Sequence, residues 1–312
     1  MADIKKVAYV FPGQGAQIVG MGKDLYDSFD SVKTLFKQAD EAVGFSLSRI
    51  FFEGPEEELR KTSNAQPALV AVSIACLRAA QEVGGKNLPA PSFMAGHSLG
   101  EYTALAAANV IDFSTAVFLA KERGRLMYEA GLKTPGSMMA IIGLDEAILA
   151  EVCKETNTVI ANINSPGQLV ISGAVENIAK AGEMAKAKGA ARALPLQVSG
   201  AFHSPLMRSA EEGMTQTLAK VTFKDPIVPI IANVTAQPIS SGSQVCDELL
   251  KQLCSSVQWQ RSVEFMVGQG VGKFIEIGPG KVLAGLIKRI SRESEMVNIG
   301  DANAVKGLGN IQ

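Results

Sequence analysis

Apolar residues along this 312-residue chain follow two rhythms. Short unbroken runs, of which residues 6–11 ended by Pro12-Gly13 are the first, predict buried central strands that feed turns. Longer stretches with apolar positions at helical spacing predict helices over 30–43, 55–61 and 67–82. A linker from Gly84-Gly85 to Pro91 leads to a short apolar strand at 92–95, a small-residue helix at 101–110 and two more helices within 113–129. Strand and helix alternate throughout, which argues for a parallel sheet covered on both faces.

Between about Pro135 and Val198 the pattern changes. Strands are expected at 137–143, 158–163, 169–172 and 190–196, with helices at 145–156 and 175–188, the βαββαβ order of a ferredoxin-like unit. This predicts two units: a large α/β domain over 1–134 and 199–312, and an inserted ferredoxin-like subdomain over 135–198. A cleft between them is a natural ligand site. After His203 the alternation resumes with a helix to about Lys220, a strand at 228–233, helices around 247–253 and 262–268, a strand at 274–277 and a basic helix beyond Gly278-Pro279-Gly280. The glycine-rich tail after Asn298 is expected to be loose.

Composition narrows the function more than the fold. Thirty basic residues against 31 acidic ones give no electrostatic case for nucleic acid. Cys76, Cys153, Cys246 and Cys254 show no C-x-x-C spacing, and with two histidines no zinc constellation is in view, so no metal is expected. Buried free thiols suit a reducing compartment. Residues 1–6 lack the apolar core of a signal peptide, and no apolar stretch of about 20 residues is seen to span a bilayer. The expectation is a cytoplasmic monomer with no membrane partner, since no apolar seam for a second copy is evident.

One of the two histidines lies within Gly96-His97-Ser98-Leu99-Gly100, a Gly-x-Ser-x-Gly turn between a strand and a helix. That context places Ser98 on a sharp corner whose glycines remove Cβ atoms that would clash. The corner aims the serine oxygen at a helix N-terminus, where free amides favour negative charge. A serine hydroxyl needs a base, usually an imidazole. The His97 side chain diverges from Ser98 on such a turn, which leaves His203.

Four motifs occur in order: Phe11-Pro12-Gly13-Gln14-Gly15-Ala16-Gln17; Gly96-His97-Ser98-Leu99-Gly100-Glu101-Tyr102; Gly200-Ala201-Phe202-His203-Ser204; and Glu276-Ile277-Gly278-Pro279-Gly280. Together they resemble the malonyl-CoA:acyl-carrier-protein transacylase family, the acyltransferases of fatty-acid and polyketide synthesis, from Val7 to about Arg289. The resemblance implies a large α/β-hydrolase-like domain, malonyl-CoA and acyl carrier protein as partners, and no cofactor. It also implies roles: Ser98 as nucleophile, His203 as base, Gln252 as the amide or carbonyl that orients the imidazole, and the amides of Gln14 and Leu99 as the oxyanion hole. Arg123 matches the arginine that pairs with the malonyl carboxylate. Phe202 matches an aromatic of malonyl-selective members, and His97, Gln66 and Asn162 match positions lining the cleft. Two departures bear on selectivity: Ala16 stands where many members have serine, and Ala201-Phe202 where some have proline and serine.

Other readings stay open on the residues alone. An esterase also uses Gly-x-Ser-x-Gly, and acids such as Asp112 or Asp145 lie between Ser98 and His203 where a triad acid could fall. Against it, no His-Gly-Gly-Gly loop is present and the insert is foreign to that fold. A docking module without chemistry is the third possibility, opposed by the intact Ser98, His203 and Arg123. Gln14 and its glycines do not form a dinucleotide loop, because the third glycine position is Ile18.

Overall fold

The computed structural model describes residues 6–309. In chain order its strands are β1 (Lys6–Phe11), β2 (Phe93–Gly96), β3 (Gly136–Ile142), β4 (Val159–Ser165), β5 (Gln168–Ala174), β6 (Arg192–Pro195), β7 (Ile230–Ile231), β8 (Pro238–Ile239), β9 (Val271–Ile277) and β10 (Glu295–Ile299). Six form a sheet of order β10-β9-β1-β2-β7-β8, parallel except where β8 pairs with β7. The other four form an antiparallel sheet of order β4-β5-β3-β6, the ferredoxin-like arrangement expected from the βαββαβ pattern.

Burial of β1 explains its unbroken apolar run. Val7, Tyr9 and Phe11 point into one hydrophobic layer, with the helices Thr62–Gly84 and Phe113–Lys133, while Ala8 and Val10 point into another with Trp259, Phe274 and Leu283. A strand covered on both faces cannot show polar alternation. The small sheet behaves differently. Met139, Ile141, Ile163, Leu169 and Ile171 pack against the helices Glu146–Thr156 and Val175–Ala187, and the opposite face, with Met138, Ala140, Asn162 and Val170, lines the cleft.

Several expectations are corrected. Residues 113–129 hold one helix, Phe113–Lys133, because Gly124 serves a close crossing: a Cβ there would sit 2.4 Å from the Thr62 carbonyl oxygen. The helix expected from Pro67 begins five residues earlier, at Thr62, with Pro67 inside it. The strand expected over 228–233 shrinks to Ile230–Ile231, and the helix after Ser98 ends at Ala107, two residues before the left-handed Asn109 (φ 59°). As far as Gly309 the tail is not loose: β10 joins the sheet, and Ala302–Leu308 is a helix capped by Asp301 with Ala302, Val305 and Leu308 buried. Of the four free cysteines Cys76 and Cys153 are buried, whereas Cys246 and Cys254 are half-buried.

Among the described residues one helix is apolar and long enough to cross a membrane by length and composition, Thr62–Gly84 with its short extension to Asn87, at mean hydropathy 1.3. Buried positions make up 72% of that window, so the segment is accounted for as the central core helix. The signal-peptide reading of the N-terminus falls largely on residues 1–5, which lie outside the described residues.

Candidate active site

Phe11 of β1 pairs with Gly96 of β2, so the two strands end together and their turns lie side by side. The His97 amide donates to the Phe11 carbonyl at 3.1 Å. Ser98 sits on the corner at φ 51°, a left-handed conformation costly for any residue with a Cβ. Both flanking glycines are required: a Cβ on Gly96 would lie 1.9 Å from the Gly100 carbonyl, and one on Gly100 would lie 2.2 Å from the Phe11 oxygen. The strained turn is tied down from just past the end of β7. Asn233 Oδ1 accepts the Ser98 amide at 2.6 Å, and Asn233 Nδ2 donates to the Gly96 carbonyl at 2.7 Å.

His203, 105 positions along the chain, brings its Nε2 to 2.8 Å from Ser98 Oγ. Its backbone is also left-handed, at φ 57°. The other ring nitrogen, Nδ1, donates to the backbone carbonyl of Gln252 at 2.7 Å, which leaves Nε2 free to accept from the serine hydroxyl. Burial, and then the nearby Arg123 charge, pushes the imidazole down to about 3, so it rests neutral at pH 7. The acids weighed for a triad are elsewhere: Asp112 and Asp145 cap helices by accepting from the amides of Thr115 and Ala147.

Arg123 is 1% exposed and reaches the same point. Its Nη2 donates to Ser98 Oγ at 3.1 Å and to Gln252 Oε1 at 2.8 Å, and its Nη1 donates to Gln66 Oε1 at 2.9 Å. The guanidinium also lies over the Tyr102 ring, 5.6 Å from its centroid. Among the described residues no carboxylate oxygen stands within 4 Å of it, and its Nε has no hydrogen-bond partner. A buried cation whose hydrogen-bond partners are all neutral is costly, the Glu101 charge acting on it only from a distance, and a ligand carboxylate relieves that cost.

These groups open on a cavity of about 420 Å³ between the two sheets. Gln14 lines it, its side chain donating to Thr62 Oγ1 at 3.3 Å; the backbone amides of Gln14 and Leu99 have no partner among the described residues. Phe202, buried at the bend before His203, and Asn162, on the small sheet, form parts of the wall. His97 is drawn away from Ser98: its Nε2 is 2.8 Å from Asn164 Oδ1, its ring is 5.6 Å from the Trp259 ring, and burial lowers its pKa. All ten residues singled out in the sequence therefore gather at one place, with Gln252 in two roles, its carbonyl on His203 and its side chain on Arg123.

Four residues escaped the sequence reading. Asn233 stands just past the carboxyl end of a parallel strand, where sites of such sheets collect, and that position was its signal. Asn164 lay within a stretch already noted for Asn162. Glu101 follows the elbow directly and is fully buried: it accepts the Asn233 amide at 3.1 Å and the Gln252 Nε2 through a short bond. Glu248 accepts the Val234 amide at 2.7 Å. Burial raises the pKa of both acids, and in Glu101 the neighbouring Glu248 raises it further.

Residues 8–306 match the acyl transferase domain family. The chain is 44% identical over 308 residues to the malonyl CoA-acyl carrier protein transacylase of Bacillus subtilis, covering 97% of this chain and 96% of that one. It is 49% identical over 287 residues to the Escherichia coli K12 protein of the same name, covering 91% and 92%. Among solved structures, an acyl carrier protein S-malonyltransferase from Vibrio cholerae superposes with a TM-score of 0.92 at 43% identity, covering 97% of this chain and 99% of that one. A malonyl-transacylase in complex with its type II PKS acyl-carrier protein gives the same TM-score and identity, covering 98% of this chain and 100% of that one.

Proposed function

We propose, on the premise that this chain belongs to the acyl transferase domain family, that it moves a malonyl group from malonyl-CoA to the phosphopantetheine thiol of acyl carrier protein, in fatty-acid or polyketide synthesis. The observation that carries this reading is Arg123, a buried guanidinium without a carboxylate partner, 3.1 Å from a serine oxygen held by an imidazole. A malonyl thioester has one methylene between its reacting carbonyl and its free carboxylate. Arginine and nucleophile must therefore lie side by side, as they do here.

In the first half-reaction Ser98 Oγ attacks the thioester carbonyl while His203 Nε2 takes its proton. The oxyanion falls to the amides of Gln14 and Leu99, each such donor being worth about 10² to 10³ in rate. The tetrahedral intermediate expels the CoA sulfur, which takes the proton from His203, and a malonyl ester remains on Ser98. The carrier-protein thiol then attacks that ester, His203 receiving the thiol proton and returning it to Ser98 Oγ as the new thioester leaves. Atoms and charge balance over the two halves, and the route is ping-pong.

Arg123 acts twice in this scheme. Bidentate pairing with the malonyl carboxylate fixes the donor, each charged hydrogen bond contributing about 1.5 to 3 kcal/mol. The carboxylate also offsets the positive charge that depresses His203, so the imidazole becomes a stronger base once the proper donor is seated. Phe202 fills the space that a methyl branch on the malonyl group requires, which favours malonyl over methylmalonyl.

The catalytic unit comprises residues 1–134 and 199–312, with 135–198 as the subdomain that closes the cleft; the confinement of the four-stranded sheet to 136–195 supports this division. The enzyme works as a cytoplasmic monomer, its oligomeric state testable by light scattering in solution. The function itself is tested by incubating the protein with malonyl-CoA and weighing it intact. A malonyl adduct that Ser98→Ala abolishes, and that holo-carrier protein discharges, is the expected result; release of free malonate in place of transfer overturns the reading.

A further inference from the structure

Beneath the reacting groups lies a carboxylate that the mechanism above leaves unused. Glu101 is 1% exposed, in the first turn of the helix Gly100–Ala107, and each of its oxygens faces a different donor. Oε1 accepts the backbone amide of Asn233 at 3.1 Å, and Oε2 accepts the side-chain Nε2 of Gln252. Both recipients touch the chemistry. Asn233 holds the Ser98 amide at 2.6 Å, and Gln252 presents Oε1 to Arg123 Nη2 at 2.8 Å while its Nε2 also donates to the Ser98 carbonyl at 3.0 Å.

We propose that Glu101 is a positioning residue that fixes the amide of Gln252 and thereby aims Arg123 at the acid end of the malonyl group, an assignment that rests on the reading of Arg123 given above. The argument is one of donor and acceptor inventory. Two donors meet two oxygens, and only an ionised carboxylate offers an acceptor on each arm. A glutamine at 101 has one oxygen and one NH₂. The Asn233 amide belongs to the backbone and cannot turn, so it claims the oxygen, and the NH₂ is left facing Gln252. The Gln252 side chain must then rotate to offer its own oxygen, which swings its NH₂ towards the guanidinium, donor against donor. Arg123 loses one of its two glutamine acceptors and the orientation that goes with it.

Glu248 supplies the internal control. It is a second buried acid nearby, but it meets backbone amides, that of Val234 at 2.7 Å, and no side chain of the site, and a glutamine there keeps an oxygen for that amide. Single-turnover acylation of Ser98 by malonyl-CoA and by acetyl-CoA, read by intact mass, separates aiming from mere packing. In Glu101→Gln the malonyl-to-acetyl rate ratio is expected to fall at least tenfold, while in Glu248→Gln it stays within threefold of the parent. A ratio unchanged in Glu101→Gln, whatever its absolute rates, overturns the proposal. Should that variant not fold, neutron diffraction from the parent protein decides: the Gln252 nitrogen facing Glu101 supports the assignment, and the oxygen facing it overturns it. Absence of any malonyl adduct on the parent protein sinks the functional reading instead, and the neutron result still stands or falls alone.

Discussion

The two walls of the cleft are built on different principles. The wall on the six-stranded sheet carries Ser98, Arg123 and His203, each locked by hydrogen bonds to groups from distant parts of the chain. The wall on the four-stranded sheet offers Met138, Ala140, Val170 and Asn162, neutral side chains that shape the space opposite. The large unit thus holds the charged and polar groups, with Phe202 among them, and the small one faces them with neutral side chains.

The strongest way to break this division is at the nucleophile. Ser98→Ala is expected to abolish the covalent adduct and lower transfer by about 10³-fold or more, read by intact mass and by a coupled thiol assay. Next comes Arg123→Ala. Malonyl transfer is expected to drop by about 10²-fold, the loss of two charged hydrogen bonds, while acetyl transfer holds or rises. Unchanged malonyl preference in that variant would remove the guanidinium from the site.

A third test uses pH. Because His203 is held near 3 in the free enzyme, kcat/KM for malonyl-CoA should lack a limb at the ordinary imidazole value of 6.5 and stay level down to about pH 5. A fall centred at 6.5 would show an exposed, ordinary imidazole. The same depression has a stability sign: the unfolded chain takes up a proton between pH 6.5 and about 3 that the folded His203 refuses. Its contribution is therefore complete above 6.5 and drains away as the pH falls towards 3, which acid melts will register. The smallest effect belongs to the small wall. Asn164→Ala removes the bond from His97 Nε2 across the cleft and should cost about 1 kcal/mol in stability with only a few-fold rise in KM.

Much of this was legible in the chain because it is written locally. The elbow at Ser98 announces itself through two glycines between an apolar strand and a small-residue helix, and the small unit through the βαββαβ order of its strands and helices. His203 was reachable by elimination among two histidines. What stayed hidden depends on contacts across great sequence distance. Asn233 holds an amide 135 positions away from a strand only two residues long, too short to show a period. Glu101 sits in a first helical turn, where acids are common, and only its contacts with Asn233 and Gln252 set it apart. The tail misled because Gly300, Gly307 and Gly309 mask the spacing of Ala302, Val305 and Leu308 that buries its last helix.

Ser98 and His203 share one more property, a backbone in the region that glycine tolerates and other residues resist. On the proposed mechanism neither position can take glycine, because each must present a side chain, so about 1 to 3 kcal/mol apiece is committed permanently to turnover. A laboratory selection for heat tolerance that also demands product will leave these two sites untouched and draw its gains from the outer helices.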